Sequence, residues 1–282
     1  MDDAGMILLI DAGNTRIKFG RLDRKKGRRE PGSLALAHAE LDRLTAWLGA
    51  WPGPVSSVLG VNVAGASMAA RINDLLAQYC DMPVQWVRST GSVAGIRNLY
   101  EDPAQLGTDR WVSLVGLAAR TPAAAILASF GTATTIDTLG PLTTPAPVMG
   151  DDDAPLESGR RFEGGIILPG PELMRQSLAN GTADLPYAEG ASTPFPRNTH
   201  AAISSGIAAA QAGAVFRQWQ AAKEALGEAP QLYCTGGGWH LVADEVSAEL
   251  ARRRAELHLA PATPQWLDAP VLDGLTSLAL AA

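Results

Sequence analysis

The sequence predicts an α/β fold made of two similar halves, and two observations carry that expectation. Apolar, strand-like runs alternate with amphipathic helical stretches along the chain. A strand followed by a short polar turn rich in small residues also occurs twice, near residues 11 and 131. With 282 residues, 46% of them hydrophobic and 18% charged, the chain can build one large unit or two ordinary domains. We divide it at 1–120 and 121–282, with both turns facing one cleft.

The first strand is the run 6–10, which ends at Asp11-Ala12-Gly13-Asn14-Thr15. Ile17-Lys18-Phe19-Gly20 resumes as a second strand, so the turn closes a hairpin, unlike the strand-to-helix passage of a Walker loop. Residues 21–29 read as a basic, exposed stretch. Leu41, Leu44, Trp47 and Leu48 then recur at helical spacing up to a Pro-Gly-Pro break at 52–54. A buried strand at 55–61, a helix at 68–79 and a strand at 84–87 follow. Leu114, Val115 and Ala118 at helical spacing place a helix behind Asp109.

The second half restarts with a strand at 125–128, the turn Ser129-Phe130-Gly131-Thr132-Ala133-Thr134-Thr135 and a strand into Asp137. Residues 140–161 read as an exposed Pro/Asp/Gly loop, with Asp151-Asp152-Asp153 as its solvated tip in preference to a metal site. A strand through Gly164-Gly165 leads to a Pro169-Gly170 turn and a helix containing Met174 and Leu178. A long helix at 199–226, a strand at 231–235 and helices at 241–253 and 272–281 complete the alternation.

Composition removes several function classes. A net charge of -6 gives no general attraction to phosphate polymers or anionic membrane, and no helix-turn-helix is recognisable, so neither nucleic acid nor membrane is an expected partner. No run of eighteen apolar residues occurs, and Met1-Asp2-Asp3 puts acid where a signal peptide carries positive charge, which points to the cytoplasm. Cys80 and Cys234 form no CxxC pair and read as buried thiols, and the four histidines are scattered. Catalysis therefore falls to carboxylates.

Phosphoryl transfer needs small-residue turns that expose backbone N–H groups, and carboxylates that hold Mg²⁺. In the first turn Gly13 allows close approach to phosphate, Asn14 and Thr15 offer donors, Asp11 suits a magnesium hydration shell and Lys18 adds positive charge. The same pentapeptide also fits an Asx-type hairpin turn. In the second turn Gly131, Thr132 and the following hydroxyls suit the β and γ phosphates, although Thr-rich sequence is also good strand material. Asp109 falls in the first turn of its helix beside Arg110, a residue suited to bidentate capture of carboxylate or phosphate. A helix-stabilising acid next to a surface arginine is the plainer alternative. The Gly164-Gly165 step reads as a close approach or a bulge. Gly236-Gly237-Gly238 leaves bare backbone where adenosine has room.

Taken in order, the segments DAGNTRIKFG, NLYEDPAQLGTDRW, FGTATTID, FEGGIILPG, NTHAAISSGI and YCTGGG resemble the type III pantothenate kinases over nearly the whole chain. The resemblance implies two actin-like (ribonuclease H-like) domains flanking a nucleotide cleft. It also implies ATP-dependent phosphorylation of pantothenate, the first step of coenzyme A synthesis, by a homodimer using Mg²⁺ and a monovalent cation, K⁺ or NH₄⁺. By resemblance, Asp11, Ala12, Gly13, Asn14, Thr15, Arg16, Ile17 and Lys18 form one ATP-phosphate loop, with Asp11 reaching Mg²⁺ through water, and Thr132 contacts ATP from the other. Tyr100, Gly107, Thr108, Asp109 and Arg110 surround pantothenate, Thr199 completes that site, and Asp109 is the proton acceptor. The chain departs from the pattern at Ser129, where the family commonly carries Asp as the monovalent-cation ligand. A neutral hydroxyl is a poorer ligand for a hard cation. Some members of the family were named as accessory factors for gene expression, a competing reading. Another kinase or phosphatase of the superfamily would share both turns but lack the LGTDR segment.

Overall fold

The computed structural model describes residues 5–51, 53–80, 82–143 and 159–282. Asp151 to Asp153, Met1 to Asp3 and Pro52, all used above, lie outside the described residues. By internal contact the chain divides into two compact units, residues 1–120 with 269–282 and residues 121–268.

The first unit runs β1 (Met6–Ala12), β2 (Arg16–Asp23), β3 (Arg28–Arg29), β4 (Leu34–Ala37), α1 (Arg43–Gly49), β5 (Val55–Asn62), α2 (Ala66–Leu76), β6 (Val84–Trp86), β7 (Ser92–Val93), β8 (Ile96–Asn98) and α3 (Thr108–Ala118). Its main sheet has the order β3-β2-β1-β5-β6, and β4 also pairs with β2. The apolar run of β1 is explained by burial on both faces. Leu8 and Ile10 pack with Leu44, Ile72 and Leu76 of the first two helices, while Ile7 and Leu9 pack on the other side with Val112 of α3. Each such side chain contributes about 1.5–3 kcal/mol when fully buried. Residues 21–29 depart from the expected exposed stretch. β2 continues to Asp23 with Leu22 fully buried, because strand alternation turns that residue inward between Arg21 and Asp23.

The second unit runs β9 (Ala125–Phe130), β10 (Ala133–Leu139), β11 (Arg160–Pro169), α4 (Pro171–Gly181), α5 (Thr199–Leu226), β12 (Gln231–Thr235), α6 (Ala243–Glu256) and β13 (Gln265–Trp266). Its strands follow the order β13-β12-β9-β10-β11. α5 starts on an Asn198 cap, whose Oδ1 accepts from Ala201 N–H at 2.8 Å, and stops at Gly227, whose φ of 74° few other residues adopt. Its buried face, Ala212, Val215, Phe216 and Trp219, covers Ile126, Ala128 and Phe130 of β9.

The two sheets repeat one topology. In each, an antiparallel hairpin lies beside two parallel strands connected through a helix: β1–β2 beside β5 and β6, and β9–β10 beside β12 and β13. The closing helix α7 (Pro270–Ala281) returns to the first unit. It crosses α3 where both helices have glycine. A Cβ on Gly274 would lie 1.9 Å from the Val112 carbonyl, and one on Gly116 would lie 2.5 Å from the Pro270 carbonyl. Asp273 then fastens the helix, accepting from Arg29 at 3.0 Å and from Arg120 at 2.8 Å.

Candidate functional site

In the first unit the hairpin turn is tight around its glycine. Gly13 N–H donates to the Arg16 carbonyl at 3.0 Å, and a Cβ on Gly13 would stand 3.1 Å from that oxygen. Ala12 and Ile17 are buried and anchor the strand ends, while Asn14, Thr15 and Arg16 are exposed at the tip. Asp11 is only half-buried, and its β-sheet partner across the hairpin is Lys18. Burial pushes the Asp11 carboxyl up to about 7; Lys18 opposes that shift and Asp109 adds to it. Asp109, nearly a hundred residues later in sequence, therefore shares the electrostatic neighbourhood of Asp11 and Lys18.

The segment before α3 explains how Asp109 is held. Asn98 is buried, and its side-chain amide donates to the Thr90 carbonyl at 3.2 Å while its oxygen accepts from Tyr100 N–H at 3.0 Å. Asp102 caps the short helical turn that follows, accepting from Ala104 N–H at 3.0 Å. Gly107 caps α3, with Thr108 as the first helical residue and Asp109 in the first turn. A Cβ at Gly107 would come within 2.8 Å of Asp109 Oδ1, so a larger residue there would displace that carboxylate. That oxygen accepts from Arg110 N–H at 2.9 Å. Arg110 is buried, and its Nη1 donates to the Tyr100 hydroxyl at 2.9 Å. A buried guanidinium held in this way is suited by its planar fork to a planar anion.

In the second unit Gly131 N–H donates to the Ala133 carbonyl at 3.1 Å, leaving Thr132 exposed at the tip. Two glycine segments buttress this turn. Gly170 N–H donates to the Thr132 carbonyl at 2.9 Å, and a Cβ there would lie 2.1 Å from the Gly131 carbonyl. Gly236 has φ 98°, and a Cβ there would lie 2.5 Å from the Phe130 carbonyl, which also accepts from Gly238 N–H at 2.8 Å. The Gly164 region contains a bulge, with the β10–β11 register shifting between Thr138 and Leu139. Ser129 is half-buried on β9 opposite Thr135, and Asp137 is buried on β10. Thr199 opens α5 and lines a cavity of about 810 Å³ whose walls include Met174, Leu178, Ile203 and Ile207.

Asp11, Lys18 and Asp109 are thus drawn together, as are Tyr100 and Arg110, while in the second unit Pro169, which pairs with Ala133 next to Thr132, also lines the Thr199 cavity. The sequence reading missed Asn98 and Asp102 as the residues that hold Tyr100 and its loop, and missed Gly170 as a buttress. The Asn-x-Tyr and Asp-Pro spacings were the available signals.

Among the described residues no group of three or more His, Cys, Asp or Glu forms a metal cluster. Mg²⁺ does not need one, because it is commonly bound by one or two carboxylates together with water and substrate phosphate oxygens. Asp11 fits that pattern, a carboxylate whose charge is disfavoured by burial and by Asp109 until a cation arrives. The position at 129 fits a cation less well, offering a hydroxyl in place of a carboxylate. Burial pushes the Cys234 thiol up, which makes it inert, whereas Cys80 is half-buried and not fully enclosed as expected.

A family model described as type III pantothenate kinase matches residues 7–143 and 155–221. A protein named Type III pantothenate kinase from Bordetella petrii is 50% identical over 277 residues, covering 97% of each chain. Its namesake from Bordetella bronchiseptica is 45% identical over 280 residues, again covering 97% of each chain. Among solved structures, one described as a 2-dehydro-3-deoxygalactonokinase from Sinorhizobium meliloti matches with a TM-score of 0.55 at 13% identity, covering 98% of each chain, a likeness of fold alone.

Proposed function

The chain belongs to the type III pantothenate kinase family, and on that premise we propose how its residues divide the work of phosphorylating pantothenate with ATP. The reaction passes the γ-phosphoryl group to the pantothenate hydroxyl, giving 4'-phosphopantothenate, the first step toward coenzyme A. Phosphoryl transfer asks the protein chiefly for alignment and charge neutralisation. The observation that carries the reading is the meeting of Asp11, Lys18 and Asp109 in one electrostatic neighbourhood.

In this reading, residues 11–18 receive the triphosphate on backbone N–H groups and Lys18, and Thr132 gives ATP a hydroxyl contact from the second unit. Asp11 would hold Mg²⁺ through its hydration shell, and the ion would neutralise charge on the phosphate oxygens. Asp109 orients the pantothenate hydroxyl and takes its proton. It stands in the first turn of α3. Arg110, steadied by Tyr100, receives the pantothenate carboxylate, and the Gly107 and Thr108 backbone forms the adjoining wall. Thr199 supplies a further substrate contact from its cavity.

We assign the working form to a homodimer in the cytoplasm. Leu173, Tyr187 and Phe195, the last 85% exposed, are apolar side chains close in sequence to residues lining the Thr199 cavity, and a second copy would remove them from water. Among the described residues no helix is long and apolar enough to cross a membrane.

The test is ADP release by the purified chain with ATP, with and without pantothenate, followed by mass analysis of the product. Removal of Mg²⁺ by chelation should stop turnover, and sedimentation should give twice the chain mass. Nucleotide release independent of pantothenate would refute the substrate assignment.

A further inference from the structure

The Gly13 carbonyl has a partner that the chemistry above does not use. His38 Nε2 lies 2.9 Å from it, and since a carbonyl can only accept, Nε2 carries the proton. We infer that His38 is a positioning residue for ATP, because its grip on the Gly13 carbonyl fixes the Gly13–Asn14 peptide with the Asn14 N–H turned the other way, free to meet phosphate.

The geometry follows from the planar trans peptide, in which C=O and N–H of one unit point in opposite directions. Asn14 is exposed and makes no hydrogen bond among the described residues, so nothing competes with a ligand for that N–H. The imidazole is itself firmly mounted. β4 pairs with β2 so that Ala37 faces Arg16, which delivers the next residue, His38, beside the turn. Arg71 Nη1 donates to the His38 carbonyl at 2.8 Å, and Ala37 N–H donates to Glu40 Oε2 at 3.1 Å. Without such a brace, the peptide in an exposed turn is free to flip and present its carbonyl to an anion, which repels it.

This inference rests on the reading of residues 11–18 as the phosphate loop. It is tested by steady-state kinetics on the full chain with ATP and pantothenate varied separately. His38→Ala should raise KM for ATP roughly fivefold or more while KM for pantothenate and the melting temperature stay close to those of the parent. His38→Gln, whose amide nitrogen stands about as far from the backbone as Nε2, should restore KM for ATP to within about twofold. Unchanged ATP kinetics in His38→Ala, a Gln variant as impaired as the Ala variant, or equal losses toward both substrates with a fall in melting temperature would overturn it. Lys18→Ala, measured alongside, separates the two levels. If Lys18→Ala impairs ATP use and His38→Ala does not, only the role of His38 falls; if neither impairs it, the phosphate-loop reading falls as well.

Discussion

The two hairpin turns occupy matching places in the two sheets but carry different chemistry. Asp11 stands two residues before Gly13, and Ser129 stands two residues before Gly131. Each ends the first strand of a hairpin beside a parallel strand, β5 in one unit and β12 in the other. The first turn brings a carboxylate, a lysine across the hairpin and, from α3, a second carboxylate. The second brings hydroxyls and is buttressed by Gly170 and Gly236 through backbone approach. One topology thus carries two kinds of turn: in the first unit it concentrates charge, and in the second it is uncharged and closely packed by backbone.

If charge in the first unit drives the reaction, Asp109→Asn should have the largest effect, lowering kcat by about 10²–10⁴-fold. Thermal melting should barely change, since Asp109 is a half-exposed residue at a helix start. Near-parental turnover would break the comparison at its centre.

Asp11→Asn comes next, with a loss of roughly 10–100-fold in apparent Mg²⁺ affinity. It also has an opposite effect on stability. The folded-state pKa of Asp11, about 7, lies above the ordinary value of 3.8, so folding favours the protonated form. That contribution is complete below about pH 4 and is lost as pH rises through 7, at a cost of up to about 4 kcal/mol. With metal chelated, the parent should therefore melt at a lower temperature at pH 8 than at pH 6, and Asp11→Asn should flatten the difference. A parent melting curve indifferent to pH over that interval would contradict the burial argument.

The second turn should respond more mildly. Thr132→Ala removes one hydroxyl contact and should raise KM for ATP by roughly three- to tenfold with kcat largely kept. The smallest expected effect is a gain. Ser129→Asp supplies the carboxylate that the matching position in the first unit already has, and should make turnover roughly two- to fivefold more responsive to K⁺ or NH₄⁺. Equal potassium curves for the parent and the variant would mean that a carboxylate at 129 is not what the cation senses.

The features legible in the sequence were local ones. A strand broken by Asp-x-Gly and resumed at Ile17 announces a hairpin, and Asp109 ahead of an apolar periodic run announces a helix start. α5 runs over 199–226 as the sequence suggests, with Asn198 and Gly227 at its ends. What stayed hidden depends on partners distant in sequence. β4 is four residues long and identified only by pairing with β2. Gly236 looked like open backbone for a nucleotide, but its freedom is used to approach Phe130. The alternation at 241–253 and 272–281 gave no sign that the last helix leaves its sequence neighbours, because what assigns it to the other unit is contact with residues far away in sequence: the glycine crossing with α3, packing on β1 and the Asp273 ion pairs.

That crossing also affects the order in which the protein is made. The second unit is one uninterrupted stretch and can collapse as soon as it is synthesised, whereas the first must hold its sheet half-covered until α7 arrives. Val112 and its neighbours stay wet during that interval, and the helix bearing Asp109 lacks its seat. Maturation of the part of the first unit that bears Asp109 is thereby tied to translation of residues 270–281, so nascent chains stalled before residue 270 should carry a folded second unit and an unfinished first one, a natural target for chaperone or protease.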